Sequence, residues 1–260
     1  MKKSNFTAVV IDSYTSLRHF DEGGLLIGET RQNGKRAGSH NPLTKSRSCD
    51  IMNLTEKSNH DRHSNRKRGI LMKTVKDKYL VVGADFAGYP LKEAVCAHLR
   101  EKGWKITDLG VTDPNVEDTE NMFHRVGLRV GAQISEGNFE RALLFCGTGM
   151  GIHIAASKCP GIHAGVVESV PAALRAITGN GVNVLAMGAF YVAPQMGCDI
   201  ADAYLNAELG SGYEWWHNFY EFHKLAMDEL DAFDYEAYKA NGFRLEHLGD
   251  YPLKLETKPE

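Results

Sequence analysis

Leu143-Leu144-Phe145-Cys146-Gly147-Thr148-Gly149-Met150-Gly151-Ile152 decides the fold of this chain. An apolar run ends in a cysteine, a turn with three glycines follows, and residues 153–158 read as the helix that comes next. Open parallel sheets place their sites in this way, where a strand delivers a reactive group to the crevice at its carboxyl end. Glycines let the backbone bend tightly and expose its N–H groups. The helix start adds partial positive charge. These ten residues therefore imply a thiol beside an anion cradle.

Working outward, the same alternation repeats. Residues 79–85 read as a buried strand, and 90–102 as an amphipathic helix with Leu91, Val95, His98 and Leu99 on one face and Gly103 as its stop. Residues 104–109 are a second strand, 112–120 an acidic loop and 126–135 a helix of small residues. Strands are predicted at 141–146, 162–167 and 182–187, with helices at 170–178 and 194–205. Such alternation means right-handed βαβ units. The predicted fold is α/β, a three-layer αβα sandwich with a five-stranded parallel, Rossmann-like sheet. Residues 213–233 carry Trp215, Trp216, Phe219, Tyr220, Phe222 and Leu225, a helix too aromatic to lie in water. It is expected to pack on the domain or on a second subunit.

The domain reading is 1–71, 72–210 and 211–260. The first part is distinct in composition. Residues 1–71 hold 13 Lys and Arg against 7 Asp and Glu, and the remainder 17 against 26. Short strands are conceivable at residues 9–11 and 25–27, but residues 30–68 are polar and basic, with too little apolar surface to offset the entropy of ordering. This segment is expected to be a disordered basic extension, with Arg66-Lys67-Arg68 solvated, and Met72 reads as a natural start. The acidic bulk of the chain speaks against nucleic-acid binding. No apolar run approaches the 18 or so residues of a membrane span, and residues 6–11 are too short for a signal peptide. The 5 cysteines are scattered without CxxC spacing, which argues against a disulfide scaffold or zinc site and for a reducing cytoplasm.

Several phosphate motifs are excluded at the glycine turn. A Walker loop needs a lysine after its last glycine. Gly83-Ala84-Asp85-Phe86-Ala87-Gly88 lacks the middle glycine of a dinucleotide fingerprint. A cysteine phosphatase needs an arginine six residues after its cysteine, where Ile152 stands. General base chemistry survives. A thiolate abstracts protons, and the amides from Gly147 to Gly151, with the Thr148 hydroxyl, suit an oxyanion such as an enediolate. Cys96, Cys159 and Cys198 lack this setting and read as core or surface residues. Asp85 ends the first strand on the edge that carries Cys146, where it either contacts substrate hydroxyls or caps the next helix. Asn180 either assists the oxyanion or is a turn residue between Gly179 and Gly181.

Residues 79–209 resemble the type B ribose-5-phosphate isomerases and the related LacA/LacB galactose-6-phosphate isomerase subunits. The resemblance is carried by Gly83-Ala84-Asp85-Phe86-Ala87-Gly88 with Leu91-Lys92, by Cys146-Gly147-Thr148-Gly149-Met150-Gly151, by Ala155-Ala156-Ser157-Lys158, and by Asn183-Val184-Leu185-Ala186-Met187-Gly188. It implies a homodimer with sites at the subunit interface and a cofactor-free, metal-free aldose–ketose isomerisation of a phosphorylated sugar. Cys146 would be the catalytic base, Thr148 and the amides of Gly147, Gly149 and Gly151 would steady the enediolate with Asn180, and Asp85 would bind the sugar. Three positions depart from the family: Phe86 and Gly179 stand where histidines are usual, and Ala189-Phe190 where a phosphate-binding arginine is usual. Lys158, His153, Arg175, His217, His223 and Lys224 are the remaining candidates for the phosphate. The second histidine is credited with opening a furanose ring. A tetrose 4-phosphate cannot close that ring, because its terminal oxygen is esterified, so such a substrate needs no ring-opening acid. The alternative expectation is a non-catalytic phosphosugar-binding protein; a flavodoxin-like carrier lacks the acidic cluster after the first strand.

Overall fold

The computed structural model describes residues 71–115, 118–245 and 249, and the expectations for residues 1–70 lie outside them. Strands and helices alternate as β1 (Tyr79–Ala84), α1 (Tyr89–Glu101), β2 (Lys105–Asp108), α2 (Phe123–Ser135), β3 (Ala142–Cys146), α3 (Met150–Ala156), β4 (Ala164–Val166), α4 (Val170–Asn180), β5 (Val184–Gly188) and α5 (Pro194–Leu205). The sheet has five strands in the order β2-β1-β3-β5-β4. Every pairing is parallel. Parallel neighbours need a crossover, and its right-handedness fixes which face each helix covers. Leftward steps place α1 and α4 on one face, where they pack with α5 around Leu80, Val82, Leu143, Phe145 and Leu185. Rightward steps place α2 and α3 on the other, around Val81, Leu144, Val184 and Ala186. Because both faces are covered, β3 and β5 are buried along their whole length. Full burial of a Leu or Phe side chain stabilises by roughly 1.5–3 kcal/mol.

The core strand β3 is the hinge of the topology. The chain steps from β1 outward to β2, then back across β1 to β3. Connections therefore diverge between β1 and β3, and a crevice opens there at the carboxyl ends of the strands. That is the position of Cys146.

The C-terminal segment departs from the single helix expected over residues 213–233. Residues 213–218 form successive turns, with the Trp216 N–H donating to Tyr213 O at 2.9 Å and the Phe219 N–H to Trp216 O at 3.0 Å. Helix begins only at α6 (Phe219–Asp231), followed by α7 (Tyr235–Ala240). The left-handed Gly210 and Gly212 (φ 87° and 79°) bend the chain just before the turns. The aromatic rings then close on each other: Tyr213 stacks on Phe219 at 4.0 Å, and the Arg175 guanidinium of α4 lies 4.9 Å from the Tyr213 ring. Of the two expected partners, the domain or a second subunit, the segment packs on the domain, with Phe219 buried and Met227 pressed on Gly181 at the end of α4.

Candidate active site

Two strand ends are fastened together in the crevice. The Asp85 N–H donates to Phe145 O at 3.2 Å, which holds the residue after β1 beside the end of β3. The start of α1 sits on the same spot. A Cβ added to Gly88 would lie 2.3 Å from the Phe145 carbonyl carbon and 2.6 Å from the Cys146 nitrogen, so only glycine permits this approach. Asp85 Oδ1 accepts the Gly88 N–H at 2.8 Å. Asp85 therefore does brace the entry to α1, and it does so next to Cys146. Burial pushes its carboxyl pKa up, and the amides of Gly88 and Ala87 counter only part of that rise.

The rim beside Asp85 is held by a lysine inside the protein. Lys92 of α1 is fully buried; its ammonium bonds to Asp108 and to Val111 O and lies 3.0 Å from Glu93. This ties α1 to the segment after β2, whose Gly110 presses directly on the Ala84 backbone.

At the glycine turn, Gly149 adopts φ 77°, a left-handed conformation that costs an L-residue about 1–2 kcal/mol. That twist points the Gly149 N–H back at Cys146, and Sγ accepts it at 3.0 Å. Cys146 is only 4% exposed and belongs to the second core, so the sulfur is buried at the end of β3 beneath the turn. Thr148 Oγ1 accepts the Met150 N–H at 3.2 Å. The expected row of amides is therefore shorter than the sequence suggests. Gly149 bonds the sulfur and Met150 bonds Thr148, while the N–H groups of Gly147, Thr148 and Gly151 have no protein acceptor among the described residues. Helix α3 spans seven residues, so the local amides, more than a macrodipole, supply the positive potential. The end of β5 locks the turn: the Ala189 N–H donates to Cys146 O and the Phe190 N–H to Gly147 O, both at 2.9 Å.

One expected member is not brought to this place. Asn180 ends α4, and a helix following a parallel strand runs back to the opposite edge of the sheet. There its Nδ2 lies 3.4 Å from Arg175 O, and it lines a cavity of about 790 Å³ with His163, His223 and Asp231. Within one chain Asn180 cannot assist Cys146. The phosphate candidates are likewise scattered. Arg175 stacks on Tyr213 and Phe219, His223 packs on the same Phe219, and Lys224 pairs with Asp228 one turn along α6. His153 lies on α3 itself, and Lys158 is exposed beyond the end of α3. Two rings lie beside the turn, of which the sequence had singled out only Phe190, and only as a residue standing where an arginine is usual. Phe190 lies against Gly147 and Phe123 against Gly151. Their sequence signal was slight: an aromatic two residues past a strand's end, and one opening a helix. Among the other described cysteines, burial pushes the Cys96 thiol up to about 12, in keeping with a core role.

A parallel sheet with a thiol, a braced carboxyl group and a glycine turn at its switch point is the arrangement that the resemblance to aldose–ketose isomerases implies. The chain belongs to the Ribose/Galactose Isomerase family, which matches residues 80–215. It is 36% identical over 160 residues to the 4-deoxy-4-sulfo-D-erythrose isomerase of Clostridium sp., covering 62% of this chain and 98% of that one. It is 34% identical over 133 residues to the D-erythrulose-4-phosphate isomerase of Pectobacterium atrosepticum (51% and 86% covered). It is 35% identical over 135 residues to the ribose-5-phosphate isomerase B of Escherichia coli (52% and 88% covered). Among solved structures, the ribose-5-phosphate isomerase B of Clostridium thermocellum superposes with a TM-score of 0.52 at 29% identity, over 63% of this chain and 99% of that one. No helix among the described residues is long and apolar enough to cross a membrane.

Proposed function

We propose that this protein interconverts a four-carbon aldose and its ketose, the sugar carrying an anionic group on carbon 4, with Cys146 as the base. The observation that carries the reading is the bond from the Gly149 N–H to Cys146 Sγ inside a turn whose neighbouring amides remain open. The Cys146 thiolate removes the proton from carbon 2 of the aldose, and the electron pair moves to give a cis-enediolate with its charge on oxygen 1. The amides of Gly147, Thr148 and Gly151 hold that oxygen. The same sulfur returns the proton to carbon 1, while the proton on oxygen 2 moves to oxygen 1 and leaves the ketone. Asp85, in contact with the hydroxyls, orients the chain; its raised pKa lets it carry a proton more readily than an ordinary carboxyl group.

Two further facts support the four-carbon choice. Gly179 provides no ring-opening imidazole at the position where the resemblance calls for one. An aldose whose fourth carbon bears phosphate or sulfonate has no hydroxyl with which to close a furanose. Isomerases of four-carbon sugars stand among the relatives beside those of five-carbon sugars. Asn180 enters the mechanism only from a second copy, which is consistent with a homodimer whose crevice is completed across the interface. The exposed Met150, Ile154 and Tyr191 near the crevice are apolar surface that such a copy would cover.

The test is a panel of D-erythrose 4-phosphate, 4-deoxy-4-sulfo-D-erythrose and D-ribose 5-phosphate, followed by ketose formation and by exchange of the carbon 2 proton with solvent. Turnover and exchange that vanish in Cys146→Ala support the reading. Binding of these sugars with no exchange in the wild-type protein would instead identify a phosphosugar-binding protein.

A further inference from the structure

Gly179 is buried one residue before the end of α4, and the space a side chain would need there is already taken: a Cβ would stand 2.9 Å from Arg175 Cζ and 3.0 Å from Nε. Residues four apart share a helix face, so glycine at 179 lets the Arg175 guanidinium lie along the last turn. Tyr213 and Phe219 of the C-terminal segment hold it there, their ring centres 4.9 Å and 5.3 Å away. Stacking uses the flat face of a guanidinium and leaves the N–H donors at its edge open. Among the described residues no carboxylate pairs with Arg175 and no oxygen accepts from its guanidinium. A fixed cation with unused donors is available to an anion. Asn180 at the next position and His223, packed on Phe219, line the cavity beside it. The two carboxylates of that cavity are engaged, Asp231 by His163 and Asp234 by the Ala237 N–H at the start of α7.

We propose that Arg175 holds the anionic group on carbon 4 of the sugar bound in the crevice of a second copy. This deepens the four-carbon isomerase reading and rests on it, with Asn180 crossing the same interface. The link is chemical. A five-carbon aldose closes its furanose through the oxygen on carbon 4, so an acid that opens the ring stands beside that oxygen. The resemblance puts such an acid at position 179. In a four-carbon sugar the atom on carbon 4 is the phosphate ester oxygen or the sulfonate sulfur. The same place then meets an anion, and here a guanidinium fills it where an imidazole is usual. Arginine presents paired planar donors that fit the oxygens of such a group. One arrangement thus accounts for three features: the glycine at 179, the arginine absent at 189–190 and the aromatic segment that clamps Arg175.

The experiment measures turnover of D-erythrose 4-phosphate by the wild type, by Arg175→Met, and by a mixed dimer of Cys146→Ala and Arg175→Met chains isolated through two different tags. Methionine keeps an apolar stem against the rings and removes the charge. Loss of the charged hydrogen bond is expected to lower kcat/KM about 10- to 150-fold, chiefly through KM. The mixed dimer has one crevice with Cys146 from one chain and Arg175 from the other, so it is expected to regain the wild-type KM with about half the wild-type kcat. A KM in the mixed dimer no better than that of Arg175→Met, or an unchanged KM in Arg175→Met itself, overturns this inference and leaves the isomerase reading standing. A second measurement leaves Arg175 in place. Burial, and then the Arg175 charge, hold the His223 pKa down. An anion on Arg175 offsets that charge, so D-erythrose 4-phosphate added to Cys146→Ala is expected to raise the His223 midpoint in a proton NMR titration. A midpoint unmoved at saturating sugar also overturns the inference. Absence of wild-type turnover on D-erythrose 4-phosphate, 4-deoxy-4-sulfo-D-erythrose and D-ribose 5-phosphate alike overturns the isomerase reading and this inference together.

Discussion

Replacing Gly149 by alanine tests the site at its most constrained atom. The residue sits at φ 77°, where a Cβ costs roughly 1–2 kcal/mol. The added carbon would also meet the Met187 carbonyl carbon at 3.0 Å, the Gly188 nitrogen at 3.1 Å and Val166 Cγ1 at 3.1 Å, and two of these are backbone atoms of β5 that cannot step aside. The turn then has two choices. If it keeps its shape, stability falls by about 1–2 kcal/mol, a shift of roughly 2–8 °C in Tm for a domain of this size. If it relaxes to negative φ, the Gly149 N–H leaves Cys146 Sγ. A hydrogen bond to a charged group contributes about 1.5–3 kcal/mol, so kcat would drop roughly 10- to 150-fold. Steady-state turnover of D-erythrose 4-phosphate and a thermal melt on the same preparation read both terms. A variant with kcat within about twofold of wild type and an unshifted Tm would show that neither the twist nor the sulfur–amide bond matters, and the reasoning would fail.

Three other outcomes are expected. Cys146→Ala should lower kcat by about 10²–10⁴-fold while the protein still melts cooperatively, since the change removes one atom beneath the turn; full turnover would dismiss the sulfur as the base. Lys92→Met should cost about 3–5 kcal/mol in urea unfolding, because Asp108 keeps a largely buried carboxylate with no ammonium beside it; adding Asp108→Asn should recover part of that loss, and strict additivity would contradict the pairing. His223 in α6 is held below its ordinary value of 6.5 by burial and then by the nearby Arg175 charge. The unfolded chain therefore binds more protons, and stability rises with pH across the window from that lowered value to about 6.5. Tryptophan emission from Trp215 and Trp216 should report loosening of this cluster as pH falls through the window, and His223→Gln should flatten the response.

How much could be read beforehand varies with the range of the interactions involved. The strands, the helices and the cysteine turn were legible because period and glycine placement are local. Asp85 was legible as a member of the crevice because a parallel sheet puts every strand's end on one edge, and its bracing of α1 was one of the two roles the sequence offered; the bond from the Gly88 N–H shows that bracing. The aromatic segment was legible as buried but not as turns, since stacking of Tyr213 on Phe219 and Arg175 on Tyr213 joins elements far apart in the chain. The two rings at the turn were illegible for a similar reason: nothing near Gly147 in sequence reveals that residue 190 will lie on it.

The amino-acid order alone therefore determined a parallel α/β sheet with a thiol at the carboxyl end of a strand, because hydrophobic period and turn chemistry act over a few residues; the strand order that makes this end the switch point came with the tertiary structure. Tertiary structure decided which amides face the sulfur, that Asn180 stands on the far edge of its own chain, and that Phe190 and Phe123 flank the cradle. Those outcomes depend on how distant strand ends and helices come into register, and no local preference encodes that register.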